Sequence, residues 1–102
     1  MTAPSEQPSP VTLPLGGEID LNTADQLLTR GRKLLTNCGP GIPLIIDLGA
    51  VTFMDSSGLS ALVRLRRATE AKGTQLLLRD VPDRVSSVLR LTGMSEYFPT
   101  TE

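Results

Sequence analysis

Side chains able to do chemistry are few in this chain, and the most concentrated group is Asp55-Ser56-Ser57-Gly58. A carboxylate, two hydroxyls and a glycine in succession have two readings. Serines are among the best helix N-caps and a helix is expected to begin here, so plain capping is the first. Two hydroxyls beside a carboxylate exceed what one cap needs, and a helix N-terminus offers N–H groups that can hold a phosphate. The second reading is therefore a turn that orients or holds a phosphate. Elsewhere, Asp47 and Asp55 could pair for acid–base work, but no basic or metal-binding third member accompanies them. Cys38 falls on an apolar helical stripe and reads as a small buried hydrophobe. Arg64, Arg66 and Arg67 form a short basic patch, either a solvated helix face or a docking surface for an acidic partner. Gly39-Pro40-Gly41 begins like a dinucleotide loop, but the third glycine position holds Leu44, so it reads as a helix stop.

Composition removes most other chemistry. The 102 residues contain no histidine, which excludes Ser-His-Asp catalysis, histidine metal sites and histidine pH switches. A single cysteine excludes an intramolecular disulfide and multi-cysteine metal sites. No Walker A loop is present. Ten Lys+Arg against eleven Asp+Glu give a net charge of −1, a poor basis for binding a polyanion. Leu44-Ile45-Ile46 is far short of the roughly 20 apolar residues that span a bilayer. The expectation is a non-enzymatic, soluble, cytoplasmic protein with no cofactor or metal of its own, binding neither nucleic acid nor membrane.

The elements that must position the serines follow from periodicity. Residues 1–10 are polar and proline-rich and read as a flexible tail, leaving 11–102 as one domain. Val11, Leu13 and Leu15 alternate as in a half-buried strand; Pro14 argues for a sheet edge, and Gly16-Gly17 is expected to break the run. Asn22-Thr23 signals a helix whose stripe runs from Ala24 to Cys38, with Gly39 as its left-handed stop. Leu44–Leu48 is apolar on both parities, which suits a strand covered by helices on both faces. A second helix is expected from about Ser57 to Lys72, a strand over Thr74–Leu78, and a third helix with Pro82 at its first position and Gly93 at its end. Met94–Phe98 could add a last strand. This alternation predicts an α/β fold with a largely parallel sheet and right-handed crossovers, and a site at the carboxyl ends of its strands.

A family resemblance is carried by these same residues. Leu44-Ile45-Ile46-Asp47-Leu48 followed by Val51–Leu59 closely resembles the core of bacterial anti-sigma factor antagonists, the STAS domains. Gly17-Glu18-Ile19-Asp20 with Thr23-Ala24 resembles the segment before that family's first helix, and Leu91–Met94 with Phe98-Pro99 the segment after its third. The resemblance covers about residues 11–99. It implies a STAS-type mixed, mostly parallel sheet with helices, here expected to lack the family's N-terminal strand and C-terminal helix. It implies that Ser56 is the phosphorylated serine, with Ser57 nearer the helix cap, and that Asp20, Thr23, Asp55, Ser56, Ser57 and Gly58 meet the partner. It further implies partner switching. The unphosphorylated chain binds an anti-sigma factor that is also a serine kinase, freeing a sigma factor; phosphorylation releases the chain, and a PP2C-type phosphatase resets it. ATP and magnesium belong to the kinase. The alternative is a STAS module serving as a structural subunit of a transporter or signalling scaffold, without a switch.

Overall fold

Alternating leucines and isoleucines build the sheet, and a left-handed glycine lies in the connection that follows each helix. The computed structural model describes residues 10–102. The elements are β1 (Val11–Ile19), α1 (Ala24–Leu35), β2 (Leu44–Met54), α2 (Ser56–Ala71), β3 (Leu76–Arg79), α3 (Asp83–Leu91) and β4 (Thr100–Thr101). The strands lie in the order β1-β2-β3-β4, and each neighbouring pair is parallel. The expected mostly parallel α/β fold is thus present. The expected tail lies, apart from Pro10, outside the described residues.

All three helices serve one face of the sheet. The main core takes alternate residues of the strands, Leu13 and Leu15, Leu44, Ile46 and Leu48, Leu76 and Leu78, with stripes from every helix. Right-handed crossovers between successive neighbouring strands put helices on that same side. Ile45 is buried but outside this core. On its face, one pair along the strand, Arg79 holds Asp47 at 3.0 Å. The expectation of helices on both faces of β2 is therefore corrected: among the described residues, sequential strand order leaves none for the second face.

Several boundaries also differ, each for a local reason. Gly16-Gly17 does not end β1. The strand continues to Ile19, and its pairing with β2 absorbs the glycines as register shifts, with Gly17 at φ 70°. Pro14 is tolerated because, among the described residues, β1 pairs only with β2 and is an edge. Helix α1 stops at Leu35, before Gly39. Asn37 and Cys38 bond back to Leu34 and Leu35 at 2.9 and 3.0 Å, a tightened last turn. The left-handed residue of that connection is Gly41, not Gly39. Pro82 precedes α3 as its cap rather than opening it, and β3 starts at Leu76. The Met94–Phe98 segment forms a turn instead of a strand, with Tyr97 N–H bonded to Met94 O at 3.0 Å; Phe98 is buried, and the last strand is Thr100–Thr101.

The helix stops that matter were legible. Gly93 (φ 74°) ends α3 with Met94 N–H on Leu89 O and Gly93 N–H on Arg90 O, the paired bonds of a Schellman motif. Lys72, at the end of α2, donates to the carbonyl of Leu35 at 2.8 Å and so ties the ends of α1 and α2 together.

Candidate functional site

Two turns meet at the carboxyl ends of β1 and β2. The Asp55 N–H donates to the carbonyl of Ile19 at 3.2 Å, so the residue that opens the serine turn is fastened to the last residue of the neighbouring strand.

The first turn, Asp20 to Thr23, is closed by reciprocal bonds. Asp20 Oδ1 accepts from the amides of Asn22 (2.9 Å) and Thr23 (3.3 Å), while the Asp20 N–H donates to Thr23 Oγ1 at 2.9 Å. This is the logic of a capping box, placed one turn ahead of α1. The Thr23 hydroxyl in turn donates to Glu18 O at 2.9 Å. Asp20 and Thr23 are half-buried and spend their side chains on shaping the turn. What the turn presents outward is Leu21, 77% exposed, a residue that sequence reasoning missed because it breaks no pattern.

The second turn is capped by Asp55. Its Oδ1 accepts from the amides of Ser57 at 2.8 Å and Gly58 at 3.3 Å, and α2 begins at Ser56. The expected roles are thereby exchanged: the carboxylate is the cap, and Ser57 is not. Aspartate caps as well as serine and adds a favourable charge at the helix N-terminus. Both serines are left with hydroxyls outside the bonds that hold the turn; Ser56 is exposed and Ser57 half-buried.

Gly58 sets how close α2 lies to the sheet. A Cβ there would stand 2.7 Å from Ile19 Cγ2, 2.8 Å from Met54 Cγ and 3.1 Å from Ile19 O. Gly58 is buried and acts on the site by packing. A similar approach at Gly31, whose Cβ would meet Leu65 at 2.5 Å, brings α1 against α2.

Between the N-terminal halves of these helices lies a groove of about 350 Å³. Ser56, Ser57, Ser60 and Arg64 line its α2 wall, with Leu21 and Asp25 opposite. The basic patch does not persist as a unit. Arg66 is half-buried, its guanidinium 3.8 Å from the Tyr97 ring centre and 3.3 Å from Glu70, whereas Arg64 is exposed at the groove. Cys38 is buried as expected, and burial pushes its thiol pKa up against the opposing pull of Lys72. Asp47 lies away from the serine turn, paired with Arg79. The Gly49 amide and the Arg79 side chain hold its carboxyl below the usual carboxylate range. Among the described residues no three potential ligands gather to hold a metal, and no helix is long and apolar enough to cross a membrane.

Residues 3–102 match the STAS domain family, nearly the whole chain. This chain belongs to that family. The STAS domain is 32% identical over 82 residues to the anti-sigma-B factor antagonist of Listeria monocytogenes, covering 80% of this chain and 70% of that protein. Among solved structures it is similar to an anti-sigma factor antagonist from Mycobacterium paratuberculosis, 29% identical with a TM-score of 0.70, covering 87% of this chain and 74% of that one. A sulfate transporter family protein from Wolinella succinogenes is also similar, at 26% identity and a TM-score of 0.69, covering 93% and 78%. The STAS fold is therefore shared by proteins with different surroundings, and the serine turn must decide between them.

Proposed function

We propose that this chain is an anti-sigma factor antagonist whose binding is switched off by phosphorylation at Ser56. In its unmodified form it binds an anti-sigma factor that is also a serine kinase, and so frees a sigma factor. The kinase then joins Ser56 Oγ to the γ-phosphorus of ATP, ADP departs, and the hydroxyl proton passes to a base of the kinase. A PP2C-type phosphatase hydrolyses the phosphoester and restores binding. On this reading the protein works in the cytoplasm and performs no catalysis itself.

The observation that carries the reading is the division of labour at the turn. Asp55 takes the capping bonds, which leaves the Ser56 hydroxyl exposed on the first residue of α2 and free to be modified. A structural module needs only the cap. The exposed Leu21, across the groove, supplies the apolar anchor that a partner surface requires. Similarity to anti-sigma factor antagonists supports the same assignment.

Similarity to the sulfate transporter family protein favours a second reading, a non-switching structural subunit. Incubating wild type, Ser56→Ala and Ser57→Ala with the cognate kinase and ATP, followed by mass spectrometry, separates the two. Phosphate on Ser56 in wild type and Ser57→Ala, and none in Ser56→Ala, is the expected result. Phosphate on Ser57 alone reassigns the site; no serine phosphate favours the structural subunit.

A further inference from the structure

The groove beside the serine turn carries one charge on each wall. Asp25 stands on the α1 wall and Arg64 on the α2 wall, both exposed. Neither makes an ion pair among the described residues, where Arg66 is paired with Glu70 and Arg79 with Asp47. Ala24, Leu28 and Ala61 also line the groove and are buried, so its floor is apolar.

Opposite charges that share a cleft without closing on each other remain open to an occupant. The volume of about 350 Å³ falls within the range of ligand-sized clefts, about 300–1,000 Å³. An apolar floor favours an apolar segment, and the two walls give that segment a direction. A cation belongs at Asp25 and a carboxylate at Arg64. Leu21, 77% exposed, carries the apolar surface out of the cleft, which suits a protein surface better than a small free molecule. Charges so placed fix register and choose among partners more than they add affinity.

We propose that Asp25 and Arg64 set the polarity with which the groove accepts its partner: an apolar segment with a basic group over Asp25 and an acidic group over Arg64. The occupant is a segment of the anti-sigma factor, and to that extent the inference rests on the functional reading above. It adds a determinant of partner choice that lies outside the serine turn, because a segment of reversed polarity meets like charge on both walls. It also gives the switch a local consequence. A phosphate on Ser56, which lines the same groove, adds about −1.5 to −2 charges and turns a balanced cleft into a negative one. The partner's acidic group is then repelled.

Isothermal titration calorimetry of the unmodified chain with the anti-sigma factor tests the polarity. Arg64→Glu and Asp25→Arg are each expected to weaken binding by about tenfold or more, since like charges then face each other. The exchanged variant, Asp25→Arg with Arg64→Glu, keeps the net charge and is expected to bind more weakly than either single variant. Arg67→Glu, exposed on the same helix but outside the groove, should change affinity by about threefold at most. Circular dichroism on every variant checks folding, because Asp25 also stands in the favourable first turn of α1. Wild-type affinity in both single variants, recovery in the exchanged variant, or equal losses from Arg64→Glu and Arg67→Glu overturns the proposal alone. Self-association of the wild type that the exchange alters, with anti-sigma affinity unchanged, assigns the groove to a second copy and also overturns it. Absence of any binding by the wild type overturns the functional reading and this proposal with it.

Discussion

Gly58 and Ile19 approach so closely that a methyl group on Gly58 would stand 2.7 Å from Ile19 Cγ2 and 3.1 Å from the Ile19 carbonyl oxygen. That carbonyl also accepts the Asp55 amide. The serine turn is thus clamped to β1 by backbone on one side and by the missing side chain on the other. Gly58→Ala should destabilise the fold by about 1–3 kcal/mol, because a backbone carbonyl cannot move aside as a side chain would. Thermal melts check this, with wild-type stability as the contrary result.

The capping assignment separates Asp55 from Ser57. Asp55→Ala should cost about 1 kcal/mol, since the amides of Ser57 and Gly58 lose their acceptor, and Asp55→Asn should restore most of it. Ser57→Ala should be close to neutral in the same chemical denaturation series. A larger loss at Ser57 than at Asp55 would return the cap to the serine.

Much of this arrangement could be read from the chain, and the failures are instructive. Periodicity located every helix by its one apolar stripe and β1 by one parity, whereas Leu44–Leu48 stood out as apolar on both parities. The serine turn stood out because its residue types exceed a cap's needs. Which of its members caps could not be read, since aspartate and serine cap equally well and only the bond from Asp55 Oδ1 to Ser57 decides it. Arg64 and Arg66 look alike in sequence; Tyr97, far along the chain, is what distinguishes them. Leu21 carries no pattern at all, since its exposure follows from the Asp20–Thr23 bonds that turn it outward.

Asp47 makes stability depend on acid pH. Its folded pKa lies below the unfolded value of about 3.9, chiefly through the Gly49 amide and then Arg79. The contribution is therefore complete above that unfolded value and is lost as pH falls through the folded pKa. Asp47→Asn should lose stability at neutral pH and show a shallower decline below about pH 4 than wild type does. Melts across pH 2 to 7 give the comparison, and parallel curves would refute it.

Leu21 is expected to matter for binding and not for folding. Leu21→Ser should leave the melting temperature within error, because the side chain is 77% exposed. It should weaken binding to the anti-sigma factor by about tenfold, the loss of roughly 1.4 kcal/mol of apolar burial. Calorimetry of the complex checks both halves, and unchanged affinity would place the interface elsewhere.

The central claim is that one phosphate on Ser56 ends the partnership while the fold survives. Its most direct measurement is the affinity of the anti-sigma factor for the unmodified chain and for the chain carrying phosphoserine at 56, with circular dichroism on both. The account predicts matching folds and binding weakened by about a hundredfold or more, since a few kcal/mol of repulsion and desolvation at an interface suffice. Equal affinity of two equally folded forms would contradict it.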